Sequence, residues 1–158
     1  MRTKVFMAVA LAGLAAVPLA AAAELTRDEY VTRVEPICKH NTEANKRIFA
    51  GAKEQVKAEQ LKAASMHFTR AVGAFEKTIG QLRAVPQPPS DEAKLEKWIG
   101  YLQVESSYLG RIGKALAAED KAKAQTLSVR LNRNSNLANN TVLSFGFDYC
   151  KIDPGRFS

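Results

Sequence analysis

Four stretches of the chain carry apolar residues at the three-to-four-residue rhythm of a helix, and none alternates with the two-residue rhythm of a strand. The pattern predicts an all-α fold. The first helix is expected to start at Thr26, where Thr26 and Glu29 form a capping box and Leu25 and Tyr30 close a hydrophobic staple around it. Tyr30, Val34, Ile37, Ala44 and Ile48 then share a face. Pro36 is the anomaly in this helix and is expected to kink it without breaking it, and Gly51 suits its end.

The second predicted helix covers residues 58–84 and has the cleanest stripe. Leu61, Ala64, Phe68, Ala71, Val72, Phe75, Ile79 and Leu82 fall within an arc of about 80° at 100° per residue. Val85-Pro86-Gln87-Pro88-Pro89 cannot continue a helix, because proline lacks an amide and holds its predecessor extended. Ser90 is expected to cap the third helix, residues 91–118, with Asp91 and Glu92 placed favourably against its dipole. Leu95, Ile99, Leu102, Leu109 and Leu116 form its core line. A turn at Glu119-Asp120, with Asp120 as cap, leads into the fourth helix. There Ala124, Leu127, Leu131, Asn134, Ala138, Thr141, Val142 and Phe145 lie within about 100° before Gly146 ends it. Helices of about 25 residues joined by short connections predict an antiparallel up-down-up-down four-helix bundle.

The residues ahead of the first helix have a different character. Met1-Arg2-Thr3-Lys4, an apolar run from Val5 to Val17 and Ala21-Ala22-Ala23 before Glu24 have the three parts of a secretory signal. Residues 1–23 are therefore expected to be a signal peptide and 24–158 a single helical-bundle domain. The apolar run, about 13 residues, falls short of the about 20 needed to cross a bilayer, and no transmembrane helix is expected after signal cleavage. The first cysteine is Cys38, away from the cleavage site, so no lipid attachment is expected. A secreted or periplasmic location follows. In an oxidising compartment Cys38 and Cys150 are expected to bond to each other, which ties the C-terminal tail to the first helix. The reach is tight, because Cys38 lies roughly 18 Å along that helix and the residues after Gly146 extend at most about 14 Å.

Of the 158 residues 23 are basic and 16 acidic, a formal charge of +7, and without Arg2 and Lys4 the balance falls to +5. A basic surface favours an anionic partner, such as an envelope polymer or phospholipid headgroups, and another protein is the alternative partner. The charges are mixed, with no run of five of one sign, so solubility also explains them and no specific nucleic-acid partner is expected.

Candidate chemistry is sparse. His40 and His67 fall off the core stripes and are expected at the solvated surface, and the haem signature Cys-x-x-Cys-His and inward Glu-x-x-His pairs are both missing. No metal and no cofactor are expected. No nucleophile-elbow, metalloprotease or phosphate-loop motif occurs, so no catalytic residue is assigned and the chain reads as a non-enzyme. The third helix carries a second line, Trp98, Tyr101, Glu105, Tyr108 and Ile112, which widens its apolar arc to about 180°. Either this helix packs between two neighbours with its tyrosine hydroxyls at the rim, or Trp98, Tyr101, Glu105 and Tyr108 line a ligand groove. Asn41, Asn45 and Asn134 fall in core arcs, where buried amides can fix helix register. Glycines 73, 80, 100, 110 and 113 lie within predicted helices and are expected where helices approach closely.

Tyr30-Val31, Val34-Glu35-Pro36-Ile37-Cys38, Asn45-Lys46-Arg47-Ile48, the proline connector and Phe145-Gly146-Phe147-Asp148-Tyr149-Cys150 together resemble a set of small exported bacterial helical-bundle proteins of unknown function. The resemblance spans nearly the whole chain after the leader and implies a secreted bundle with one long-range disulfide. It transfers no catalytic residue. The expected function is binding or envelope association, with a small-ligand or haem carrier using an aromatic groove on the third helix as the alternative.

Overall fold

The computed structural model describes residues 24–153; the expected signal peptide, residues 1–23, lies outside the described residues, as do residues 154–158. All regular structure among the described residues is helical. It comprises α1 (Arg27–Ile48), α2 (Ala52–Lys57), α3 (Leu61–Arg83), α4 (Glu92–Ala117), α5 (Lys121–Thr141) and a short 3-10 turn (Leu143–Phe145). The four long helices form a bundle, and no helix among the described residues is long and apolar enough to cross a membrane.

The α1 start has the expected reciprocal cap, with the Glu29 amide donating to Thr26 Oγ1 and the Thr26 amide to Glu29 Oε2 at 2.8 Å. Pro36 sits inside α1, which runs unbroken to Ile48. The connection to the next long helix contains the unpredicted α2, entered through Gly51 at φ +79°, a backbone conformation that costs glycine nothing. Asp120 caps α5 by accepting from the Lys123 amide. Ser90 is not the α4 cap; Asp91 holds that position, and its carboxylate is turned to Arg27 of α1.

Two well-separated pairs set α3 and α4 antiparallel, and further contacts join the other long helices. Lys62 meets Glu119 while Ser106 donates to Glu76 across α3 and α4, and Asn134 and Ser135 of α5 reach back to Glu105 of α4. Ile48 at the end of α1 meets His67 near the start of α3. Gly113 permits a close α3–α4 approach, since a Cβ there would stand 3.1 Å from that of Phe68. Gly73, Gly80 and Gly100 face open space, so close packing does not account for them.

The core runs the length of the bundle and is filled by the fully buried Tyr30, Val34, Leu95, Trp98, Ile99 and Leu131, among others. Its upper end is closed by the tail. The fourth helix stops at Thr141, short of the predicted Phe145, and this break swings the tail aromatics inward. Phe145 meets Tyr30 edge-on at 6.4 Å and stacks on Phe147 at 5.3 Å, and Phe147 lies 5.4 Å from Trp98.

Arg27 links the same end to the α4 start. Its Nε and Nη2 donate to the two Asp91 oxygens at 2.8 and 2.6 Å, and its guanidinium lies over the Phe145 ring. These hydrogen bonds hold the Asp91 carboxyl below its ordinary range despite burial. A carboxyl depressed in the folded state contributes stability above its unfolded value near 3.9 and loses it as pH falls through the lower folded value. Asp91→Asn is therefore expected to destabilise the protein at neutral pH, and urea titrations should show its deficit against wild type shrinking below about pH 4.

Candidate functional site

Behind the tail lies a small, partly open cavity of about 30 Å³, walled by α1, α3, α4 and the tail. From α1 come Cys38, Asn41 and Asn45, from α3 Phe75 and Thr78, from α4 Trp98 and Glu105, and from the tail Cys150 and Ile152. The Cys38–Cys150 disulfide forms one wall and joins Cα atoms 5.0 Å apart across 112 positions of sequence. It is reinforced from both sides. Glu35 accepts the amides of Asp148 at 2.8 Å and Tyr149 at 2.9 Å, and the Asn139 side chain exchanges two 2.8 Å hydrogen bonds with the backbone of Ile152. The fold-back thus satisfies backbone groups of a tail that has no regular structure of its own beyond the 3-10 turn.

Several polar side chains that face inward are taken up by one another. Asn45 donates to Asn41 Oδ1 at 3.0 Å, one turn away on the same helix. Glu105, 1% exposed, accepts from Asn134 Nδ2 at 2.9 Å and from Ser135 Oγ at 2.8 Å, while Asn134 also donates to the Tyr101 carbonyl. This cluster fixes the register of α4 against α5. Burial, helped by Glu96, pushes the Tyr30 phenol up to about 12. The Tyr30 hydroxyl and Trp98 Nε1 are buried with no hydrogen-bond partner among the described residues.

The four residues proposed as an aromatic groove are not brought to one surface. Trp98 and Glu105 lie in the interior, whereas Tyr101 and Tyr108 are half-buried at the rim, with Arg111 stacked over Tyr108 at 5.5 Å. The cavity behind them has room for about one or two waters, far below the about 300 Å³ at which small-molecule pockets begin.

The histidines divide. His40 is exposed as expected, but His67 is buried, with Nδ1 against the Ile48 carbonyl and Nε2 3.0 Å from Gln55 Oε1. Its expected solvation is wrong because α2, which supplies Gln55, lies over this edge of α3. No group of three His, Cys, Asp or Glu among the described residues is placed to hold a metal ion.

One surface feature escaped the sequence reading. Where α4 turns into α5, a shallow open concavity of about 250 Å³ is lined by Arg111, Lys114 and Lys123, with Asp120 beside them. The available signal was the composition of α5, which has basic residues but no Asp or Glu along its length. No protein-family model, curated protein or solved structure matches this chain.

Proposed function

We propose that the chain is an exported, non-enzymatic helical-bundle protein that acts by binding at the cell envelope. Export is supported by the composition of residues 1–23 and by a long-range disulfide of the kind an oxidising compartment preserves. The observation that carries the non-enzymatic reading is the internal use of Glu105. This carboxylate, the one acidic member of the candidate groove, is occupied by Asn134 and Ser135 and withdrawn from solvent. The carrier reading is weaker, because the cavity beside Trp98 and Glu105, about 30 Å³, has no space for a haem or other drug-sized molecule, and the larger concavities, of about 430 and 360 Å³, are open and lined by none of the candidate groove residues.

Protein purified from its own host is expected to lack a Soret band and to sediment with envelope fragments. Glu105→Gln should lower stability by about 1–3 kcal/mol, since one of its amide donors would oppose donors of Asn134 and Ser135. It should leave sedimentation unchanged at temperatures where the variant is folded. A Soret band, or envelope binding lost with Glu105→Gln while the helical signal persists, would overturn this reading.

A further inference from the structure

The α5 helix packs on α4 and exposes much of its remaining surface, where three of its four basic residues gather on one side, the fourth, Lys121, pairing with Glu59 on another. At 100° per residue Lys123, Arg130, Arg133 and Leu137 fall within an arc of about 80° adjoining the α4 seam. Lys123 shares its concavity with Arg111 and Lys114 of α4, and farther along the pair Asn134 reaches Tyr101 and Glu105. That antiparallel register brings Arg130 level with Tyr108 and Leu137 level with Tyr101. Arg111, Lys114, Lys123, Arg130 and Arg133 are all exposed, and none has an ion-pair partner among the described residues. The neighbouring Asp120 is engaged in capping α5.

We infer that this outer α4–α5 face docks the protein on an anionic phospholipid surface. The inference rests on the envelope-binding reading and names its partner. Charge complementarity supplies the attraction, with five exposed cations on one face that have no ion-pair partner among the described residues. The apolar residues decide between lipid and a soluble polyanion. Leu137, 44% exposed, falls inside the cationic arc of α5, Val104, 42% exposed, lies about two turns before Arg111 on the same side of α4, and Tyr101 and Tyr108 are half-buried on that flank. A linear polyanion needs only the charges, whereas a membrane interface also receives apolar side chains and amphipathic tyrosine rings.

The test uses residues 24–158 with the disulfide intact and vesicles of phosphatidylcholine alone or mixed with phosphatidylglycerol. Wild type should bind only the mixed vesicles, and added salt should weaken binding. The quadruple variant Arg111→Gln/Lys114→Gln/Lys123→Gln/Arg130→Gln should bind at least about tenfold more weakly. Removing as many exposed charges from α1, α2 and α3, as Lys46→Gln/Lys57→Gln/Arg70→Gln/Lys77→Gln, should cost much less. Arg130→Glu alone repeats the test at a single exposed position. Val104→Ser/Leu137→Ser should weaken vesicle binding but not binding to soluble polyphosphate. Equal losses from both quadruple variants, or an unchanged Val104→Ser/Leu137→Ser protein, would overturn the assignment. Failure to bind mixed vesicles while envelope sedimentation persists would overturn lipid docking alone and leave the envelope-binding reading standing.

Discussion

Reduction of the Cys38–Cys150 bond is expected to lower the melting temperature by roughly 15 °C. The bond closes a loop across 112 positions. Loops of that size restrict the unfolded chain by about 4 to 5 kcal/mol on the chain-entropy account, and each kcal/mol shifts the midpoint of a domain this size by roughly 3–4 °C. Cys150→Ser should reproduce the effect of reductant on wild type and should itself be insensitive to reductant. Calorimetry with and without reductant reads both. A shift of only a few degrees would mean that Glu35, Asn139 and the aromatic packing hold the tail without help from the bond.

Trp98→Ala is expected to destabilise by about 3–5 kcal/mol, because it empties a site in which the side chain is fully buried. The effect extends to the tail. Trp98 packs against Phe147 and lines the cavity beside Cys150, so removing it takes away the surface on which the fold-back rests. Trp98→Ala and Cys150→Ser should therefore be non-additive, the double variant losing less than the sum of the two. Trp98 is the only tryptophan in the chain, which makes its fluorescence a direct report on this contact. Reduction at a temperature where the helices persist should shift its emission to the red as the tail loosens. Chemical unfolding of the three variants supplies the energies, and strict additivity would show that Trp98 and the disulfide support separate parts of the fold.

The four long helices were legible because each buries a stripe of apolar residues against the others, and burial imposes a periodicity visible in one dimension. Caps at Thr26 and Asp120 were legible for a similar reason, since the bonding is between residues three apart. What escaped depends on partners distant in sequence. Asp91 resembles a favourable helix-start charge, but Arg27, 64 positions earlier, takes its carboxylate. His67 lies off its helix stripe and is buried against the end of α1 and under α2, and α2, with Val56 its only large apolar residue, is too short to show a period. Turns at Glu59 and Glu119 adopt left-handed backbone, φ +57° and +59°, without the glycine that would announce them. The tail reach was anticipated from chain length, but not the Glu35 and Asn139 anchors that organise it. For the candidate site, a helical wheel places Trp98 and Tyr108 on one flank, and only the positions of α5 and the tail decide that one is covered and the other reaches the rim.

The central proposal is an exported bundle whose tail is bonded to its first helix. Its most direct test is peptide mapping by mass spectrometry of protein collected from outside the cytoplasm, with free thiols alkylated at harvest and no reductant added. The predicted result is a chain beginning near Glu24 in which the Cys38 and Cys150 peptides are covalently joined. Recovery of both peptides separately alkylated, or of a mature chain retaining residues 1–23, would contradict it.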